Sequence, residues 1–137
     1  MYKKIMVPID LAHTDKLDKA LTTAADLSKH YGAPMCFVGV TAAVPSAVAR
    51  DPEEFARKLE AFAAEQAARR GVEVTAKTVT SHDPARDLDT VLHDQIHALG
   101  VDLVVMASHV PGLADYLFAS NAGFLAAHTD TSVFIVR

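Results

Sequence analysis

The stretch VDLVVMASHVPG, residues 101–112, decides the fold. Its apolar run from Leu103 to Ala107 breaks abruptly into small and polar residues, and a helical pattern follows from about Leu113. A continuous apolar run of this length between turn signals predicts a strand buried on both faces, as in a parallel sheet covered by helices. Ligands of such sheets bind just beyond the carboxyl ends of the strands. Residues 107–112 are therefore expected to lie at the ligand-binding edge of the sheet.

The other apolar segments of the chain alternate with helical patterns in the same way. Strands are predicted at residues 4–10, 35–40, 72–79, 101–107 and 132–137, and helices are predicted to begin near Thr14 or Asp15, at Asp51-Pro52, at Asp83-Pro84 and near Leu113. Consecutive strands separated by a helix are parallel, with right-handed crossovers. The sequence therefore predicts one domain over residues 1–137 with an α/β fold: a three-layer α/β/α sandwich on a five-stranded parallel sheet, of flavodoxin-like or Rossmann-like type.

Local signals mark the ends of these elements. Each Asp-Pro pair places a capping carboxylate before a proline at the first helical position, and Gly32, Gly71 and Gly100 follow three helical patterns as caps. Residues 72–79 alternate between apolar and polar side chains, which predicts an edge strand with one wetter face. Pro8 has no amide hydrogen, so strand pairing is expected to fail near it.

Composition limits the classes of function. The 137 residues carry a net charge of −4; 50% of them are hydrophobic and 22% are charged. Residues 78–137 contain only Arg86 and Arg137 as cations against seven aspartates. This balance argues against a nucleic-acid partner and weakens any phosphate site in that half. No apolar run approaches the ~20 residues of a membrane-spanning helix, so no membrane partner is expected.

The cellular location is inferred from the start of the chain and from its cysteine. Lys4 leads directly into a strand pattern, without the features of a signal peptide. Cys36, the single cysteine, lies in an apolar strand and suits a reducing compartment. We therefore expect a cytoplasmic protein with an inert core thiol.

Two patterns suggest catalysis. HDQIH at residues 93–97 imitates the HExxH pattern of zinc proteases, but Asp replaces Glu, and both histidines are expected to point away from the apolar stripe of their helix, into solvent. Ser108, His109 and Asp10 form a candidate Ser/His/Asp set without the Gly-x-Ser-x-Gly turn of hydrolases. A small-molecule hydrolase is therefore kept as a third hypothesis, and no catalytic residue or metal ligand is assigned.

A binding site at the carboxyl edge of the sheet is the favoured interpretation. Asp10 ends the first strand at the same edge as Ala107, and its carboxylate can accept hydrogen bonds from a base or a sugar. A helix that starts after a buried strand offers backbone amides and a positive dipole end to an anion.

Together these segments resemble the universal stress protein family over essentially the whole chain. KIMVPID at residues 4–10 resembles the family's opening strand ending in aspartate, and Asp83-Pro84 resembles its Gly-Asp-Pro segment, with His82 where glycine is usual. DLVVMASH at residues 102–109 resembles its Asp-Leu-Ile-Val-Met-Gly-Ser-His/Arg signature, and residues 132–137 resemble its last strand.

The resemblance implies a role in stress endurance and a fold of the adenine nucleotide alpha hydrolase-like kind. It implies a homodimer, often paired through the final strand. If that strand pairs across a dimer axis, Val133 and Ile135 are expected to lie at the contact. It also implies a nucleotide site in which Asp10 and Val40 flank adenine and ribose. The site residues that it implies are Pro8, Ile9, Asp10, Val40, Met106, Ala107, Ser108, His109, Ala119, Ser120 and Asn121.

The loop after residue 106 departs from the family's nucleotide pattern, which is Gly-x-x-Gly, nine residues, then Gly-Ser/Thr. Ala107 adds a Cβ where the backbone would approach phosphate, Val110 is β-branched where glycine would adopt positive φ, and Pro111 has no amide donor. Ala119 replaces the last glycine, whereas Ser120 matches. The loop is interpreted as degenerate, and a bound Mg²⁺ can offset the missing cations.

The main hypothesis is therefore a non-catalytic cytoplasmic homodimer that acts in the stress response by binding or by protein interaction. The alternative is a protein that binds an adenine nucleotide, ATP or AMP, with at most slow ATP hydrolysis.

Overall fold

A computed structural model of the chain describes residues 1–108 and 121–137. In this part of the chain, strands alternate with helices as the sequence predicts. The elements are β1 (Ile5–Pro8), a 3₁₀ helix (Leu11–Lys16), α1 (Asp18–Tyr31), β2 (Met35–Ala42), α2 (Pro52–Arg70), β3 (Val74–Ser81), α3 (Pro84–Leu99), β4 (Leu103–Ala107), α4 (Asn121–His128) and β5 (Ser132–Val136).

The five strands form one sheet in the order β3-β2-β1-β4-β5, and all neighbouring strands are parallel. This is the Rossmann-like order rather than the flavodoxin-like one, and it confirms the predicted sheet. The strand order reverses between β1 and β4, which is where open α/β sheets bind ligands at their carboxyl ends. β3 lies at one edge, as its alternating pattern predicts, and β5 lies at the other.

The helices cover both faces of the sheet. Right-handed crossovers place α1 and α2 on one face and α3 and α4 on the other. On the first face, Arg70 of α2 donates hydrogen bonds to Asp18 (2.9 Å) and Thr22 (2.8 Å) of α1. On the second, α3 packs against α4 as well as against β2 and β3. The predicted three-layer sandwich is therefore confirmed.

The predicted helix ends are also confirmed. Asp51 accepts a hydrogen bond from the amide of Glu54 (2.8 Å), and Asp83 accepts one from the amide of Arg86 (3.3 Å), each before a proline at the start of the helix. Gly32, Gly71 and Gly100 cap α1, α2 and α3 in the left-handed conformation.

The start of α1 differs from the prediction. Thr14 or Asp15 was expected to cap this helix, but Asp10 caps the intervening 3₁₀ helix and α1 begins at Asp18 without a side-chain cap. The reason is local: the carboxylate at the end of β1 accepts the amide of Ala12 (3.0 Å), so a turn forms at once. Strand pairing beside Pro8 fails on one side only, because the register with β4 ends at Met6 whereas that with β2 reaches Pro8.

The predicted exposure of the two histidines on α3 is confirmed only in part. His97 is exposed as predicted, but His93 is half-buried, because α4 packs beside α3. The helix predicted from about Leu113 to Ala127 is seen as α4 from Asn121, and residues 113–120 lie outside the described residues. In residues 1–108 and 121–137, no helix is both long and apolar enough to cross a membrane.

Candidate binding site at the carboxyl ends of the strands

A cavity of about 250 Å³ lies beyond the carboxyl ends of β1 and β2. Ile9 and Asp10 form its wall on the β1 side, and Val40 and Thr41 form its wall on the β2 side. Parallel neighbours bring these four residues together because β1 and β2 pair in register up to Pro8. Three of the residues implied by the resemblance, Ile9, Asp10 and Val40, therefore line one cavity.

Two helices close the cavity from either face of the sheet. Phe55 extends into it from the first turns of α2, and Pro84 and Leu88 line it from the start of α3. Both helices begin at this edge because each follows a parallel strand, β2 or β3, whose carboxyl end lies here. Their side chains give the cavity apolar walls.

Asp10 is the only charged residue among the described residues that line the cavity. It is 6% exposed. One carboxylate oxygen accepts the amide of Ala12 (3.0 Å), and the other contacts Nδ1 of His13 (2.9 Å). The sequence assigned this carboxylate to a ligand alone, but each oxygen already has a partner in the protein. Each oxygen keeps a second lone pair for a ligand donor.

The hydroxyl groups of the lining are bound to nearby backbone. Thr41 donates to the carbonyl of Ala42 (3.4 Å), and Ser46 donates to that of Ala49 (3.4 Å). The Ser46 oxygen also accepts the amides of Val48 (3.2 Å) and Ala49 (3.3 Å). Because these hydroxyls already have partners, the main hydrogen-bonding group that the cavity offers a polar ligand is the Asp10 carboxylate, as an acceptor.

The loop of residues 43–51, which we call the β2–α2 loop, forms the outer wall of the cavity through Ala47 and Val48. Lys58 of α2 donates a hydrogen bond to the carbonyl of Val48. Glu54 pairs with Lys58 (3.5 Å) and with Arg50 (2.6 Å), and the hydrogen bond from the Arg50 guanidinium lowers the pKa of the Glu54 carboxyl. These contacts of Glu54 and Lys58 therefore hold the β2–α2 loop against α2.

Pro8 and the described residues at the end of β4, Met106 to Ser108, do not line this cavity. Pro8 and Met106 are buried within the sheet, and Ala107 is 7% exposed. The amide of Ser108 donates to the carbonyl of Val136 in β5 (2.8 Å), so it is engaged within the sheet rather than available to an anion. This reduces the number of backbone donors that the sequence assigned to the start of the loop.

Several of the implied residues are not described by the structure. His109, Ala119 and Ser120 lie outside the described residues, as do Val110, Pro111 and Gly112. Asn121 is the first residue of α4, and its side chain is likewise not described. The geometry of the loop implied to hold phosphates therefore stays a prediction.

Of the two histidines of the HExxH-like pattern, His93 lines a smaller pocket between α3 and α4. The rings of His93 and His97 are 4.9 Å apart. Asp89, His93 and His128 line this pocket of about 210 Å³, and burial raises the pKa of the Asp89 carboxyl while His128 lowers it. Among residues 1–108 and 121–137, no three His, Cys, Asp or Glu side chains are placed to hold a metal ion.

The observed partner of Asp10 is not a member of the candidate Ser/His/Asp set. Asp10 contacts His13, three residues along the chain, rather than a residue known to adjoin Ser108. The remaining member of the set, His109, is not described. The hydrolase hypothesis therefore stays untested.

The sequence did not predict several lining residues of the cavity, and it did not predict that His13 contacts Asp10. Phe55 and Leu88 are buried core residues of α2 and α3, and neither is among the site residues predicted from the sequence. The available signal was their place in the first turns of helices that begin at the ligand edge. Ala47 and Val48 follow β2 and carry no periodic signal, and His13 was not considered.

A doubly wound parallel sheet with a cavity beyond its carboxyl ends defines this protein as a domain of the Rossmann-like α/β class. The family model described as the Universal stress protein family matches residues 1–137. The chain therefore belongs to the universal stress protein family, as its sequence segments indicate.

Curated relatives agree with this assignment. The chain is 28% identical to Universal stress protein G of Shigella flexneri over an alignment of 148 residues that covers 100% of both proteins. It is 26% identical to Universal stress protein G of Salmonella typhimurium, again over 148 aligned residues and 100% of both.

Solved structures show the same fold. A universal stress protein from Archaeoglobus fulgidus matches with a TM-score of 0.70 at 18% identity, covering 100% of both chains. A complex of an Archaeoglobus fulgidus universal stress protein with dAMP matches with a TM-score of 0.68 at 18% identity, covering 99% of this chain and 98% of that one. A universal stress protein in complex with cAMP matches with a TM-score of 0.67 at 17% identity, covering 99% and 97%.

Proposed function

We propose that this protein acts in the stress response by binding a small ligand in the cavity at the carboxyl ends of β1 and β2, without converting it. The single observation that carries this proposal is the composition of the cavity: apolar walls around one buried carboxylate, that of Asp10. The hydroxyls of Thr41 and Ser46 are bonded to backbone carbonyls rather than to a base. An activated nucleophile needs such a base, so these hydroxyls are suited to binding rather than to catalysis.

The ligand that we propose is the adenosine part of a mononucleotide. The cavity, at about 250 Å³, is smaller than the 300–1,000 Å³ typical of sites for drug-sized ligands, so it suits a base with part of its sugar. Aliphatic side chains and the Phe55 ring can cover a planar base, and Asp10 can accept a hydrogen bond from a sugar hydroxyl. Relatives of the same fold are described in complex with dAMP and with cAMP.

A monophosphate is favoured over a triphosphate. Ser108 has its amide engaged by Val136, and Ala107 carries a Cβ at the first loop position. Lysine and arginine are absent from the described residues that line the cavity. A triphosphate needs several donors or cations along its length, whereas a monophosphate needs few.

We further propose a cytoplasmic homodimer paired through β5. Two observations support pairing at this edge: β5 is a terminal strand of the sheet, and Phe134 on it is 46% exposed. Natural proteins cover such edges, and a two-fold dimer does so. Val133 and Ile135, at which this pairing is predicted, are half-buried and pack against the protomer's own core. The free, buried thiol of Cys36 suits a reducing compartment.

Calorimetric titration tests the ligand, with AMP, adenosine and Mg-ATP as separate titrants and phosphate release followed in parallel. We expect AMP to bind at micromolar concentration, more tightly than Mg-ATP, with no release of phosphate. Leu88→Ala should weaken AMP binding because Leu88 lines the cavity, whereas Leu27→Ala, at a residue of α1 that does not line it, should not. Tighter binding of Mg-ATP, or steady phosphate release, would favour the alternative of an ATP-binding protein with slow hydrolysis. Binding of none of the three would exclude the proposed ligand.

A further inference from the structure

His13 is joined to Asp10 by two separate contacts. Its ring Nδ1 lies 2.9 Å from a carboxylate oxygen of Asp10, and its backbone amide donates to the carbonyl of Asp10 (3.0 Å). The backbone of His13, with φ −136° and ψ 41°, departs from the helical geometry of the 3₁₀ helix around it. This departure coincides with a ring that turns back toward the end of β1.

The pair is partly shielded from water. The side chain of Asp10 is 5% exposed and that of His13 is 23% exposed. A hydrogen bond to an ionised carboxylate is among the stronger protein hydrogen bonds, and water competes little for this one. The other oxygen of Asp10 is held by the amide of Ala12 (3.0 Å), so the orientation of the carboxylate is set from both sides.

We infer that His13 is a positioning residue for the ligand site: it holds the Asp10 carboxylate in the orientation in which its remaining lone pairs face the nucleoside. This inference rests on the proposed function, because it assigns His13 a part in binding that same ligand. His13 acts through Asp10, and its own ring is not required to touch the ligand. An ionised carboxylate only accepts hydrogen bonds, so the neutral imidazole carries its proton on Nδ1.

A double-mutant cycle on the full-length protein tests this inference. The probes are adenosine and AMP, titrated into wild type, His13→Leu, Asp10→Asn and the double variant. We expect His13→Leu to weaken both probes about tenfold, the loss expected for one charge-assisted hydrogen bond. In the Asp10→Asn background the same substitution should have no further effect on either probe, because the group through which it acts is already altered.

Two companion variants separate positioning from general damage to the fold. His13→Asn retains a side-chain donor near the place of Nδ1 and should restore most of the affinity. His97→Leu removes an exposed histidine from the far end of α3 and should change neither affinity. Unfolding curves of every variant show whether a loss of binding merely follows a loss of folded protein.

The ring nitrogens give a readout that does not depend on ligand. In mildly alkaline buffer, ¹⁵N NMR of the ligand-free protein should show the His13 proton on Nδ1, and Asp10→Asn should move it to Nε2. A proton on Nε2 in wild type would overturn the inference.

The binding data have three further outcomes that count against it. Loss of affinity for AMP but not for adenosine would mean that His13 contacts the phosphate directly. Independent, additive effects of the two substitutions would mean that His13 does not act through Asp10. If wild type binds neither probe, the proposed function fails and this inference fails with it, which distinguishes that result from the other two.

Discussion

The ring of Phe55 in α2 lies directly against Gly39 in β2. A Cβ at residue 39 would come within 2.7 Å of Cε1 of Phe55 and 3.0 Å of Cδ2 of Leu59, closer than side chains pack. The missing side chain at residue 39 therefore lets α2 approach the sheet. The same close approach brings Phe55 to the wall of the cavity.

Gly39→Ala should lower the free energy of unfolding by about 1–3 kcal/mol, because the added methyl group overpacks this contact. It should also weaken ligand binding, since Phe55 must shift. Urea unfolding and AMP titration measure the two effects. Gly123→Ala is the matched control: apart from its chain neighbours and the backbone of its own helix, no atom of the described residues lies within 4 Å of the added Cβ. This substitution within a helix should therefore be neutral or stabilise the protein by up to about 1 kcal/mol. Equal effects of the two substitutions would contradict the close contact at residue 39.

Lys58→Met should loosen the β2–α2 loop while preserving the fold, because Lys58 binds the carbonyl of Val48 from α2. The measurement is limited trypsin digestion, with mass spectrometry to follow cleavage after Arg50, which is exposed in this loop. We expect several-fold faster cleavage there than in wild type. Arg57→Met, an exposed neighbour on the same helix, is the control and should leave the rate at Arg50 unchanged. Identical digestion of both variants would show that Lys58 does not restrain the loop.

Asp89→Asn should raise stability at neutral pH. Burial raises the pKa of the Asp89 carboxyl, and Oδ1 has no hydrogen-bond partner within the described structure. The folded protein therefore holds this proton more tightly than the unfolded chain does, and stability falls as pH rises from the ordinary aspartate pKa through the raised one. Asparagine has no charge to lose.

The gain from Asp89→Asn should be well under about 1 kcal/mol, because solvent screens a group that is only partly buried. It should be present at neutral pH and vanish below pH ~3.9, where the carboxyl is protonated in both states. Thermal unfolding across this pH range measures it. Asp94→Asn changes an exposed carboxyl on the same helix and controls for the altered net charge. A gain that persists in acid would assign the effect to something other than ionisation.

Phe134→Glu should yield a monomer if β5 pairs across a two-fold axis. Phe134 is 46% exposed in the protomer, so its replacement should not disturb the protomer's core, unlike replacement of the half-buried Val133 or Ile135. Light scattering coupled to gel filtration gives the mass in solution. Val44→Glu replaces another exposed apolar side chain, 67% exposed in the β2–α2 loop, and should remain a dimer. A Phe134→Glu protein that stays dimeric would place the contact elsewhere.

Most of the fold could be predicted because its signals are local. The apolar run of β4 and the Asp-Pro starts of α2 and α3 each specify one element independently of the rest. The resemblance of these segments to a known family then predicted how they assemble into one five-stranded parallel sheet. The 3₁₀ helix was not predicted because Asp10 was interpreted as a ligand-binding group and not as a helix cap. Its carboxylate also caps this helix by accepting the amide of Ala12, two residues along the chain.

The candidate site could be predicted only in part. Asp10 and Val40 were accessible from the sequence because parallel strand ends meet at one edge. Helical periodicity predicts which side chains face inward, as Phe55 and Leu88 do, but it cannot show that the start of a helix extends past the end of the sheet. His93 was predicted to be exposed because a single helix pattern carries no information about α4 beside it.

The hydrogen bond from the amide of Ser108 to the carbonyl of Val136 ties the residue that follows β4 to the last residue of β5. The approach to the degenerate loop is therefore anchored on the strand at which a second copy is proposed to pair. A displacement of that strand on association would therefore act on Ser108 through this bond. If association changes the affinity for the ligand by some factor, thermodynamic reciprocity requires the ligand to change the dissociation constant of the two protomers by the same factor.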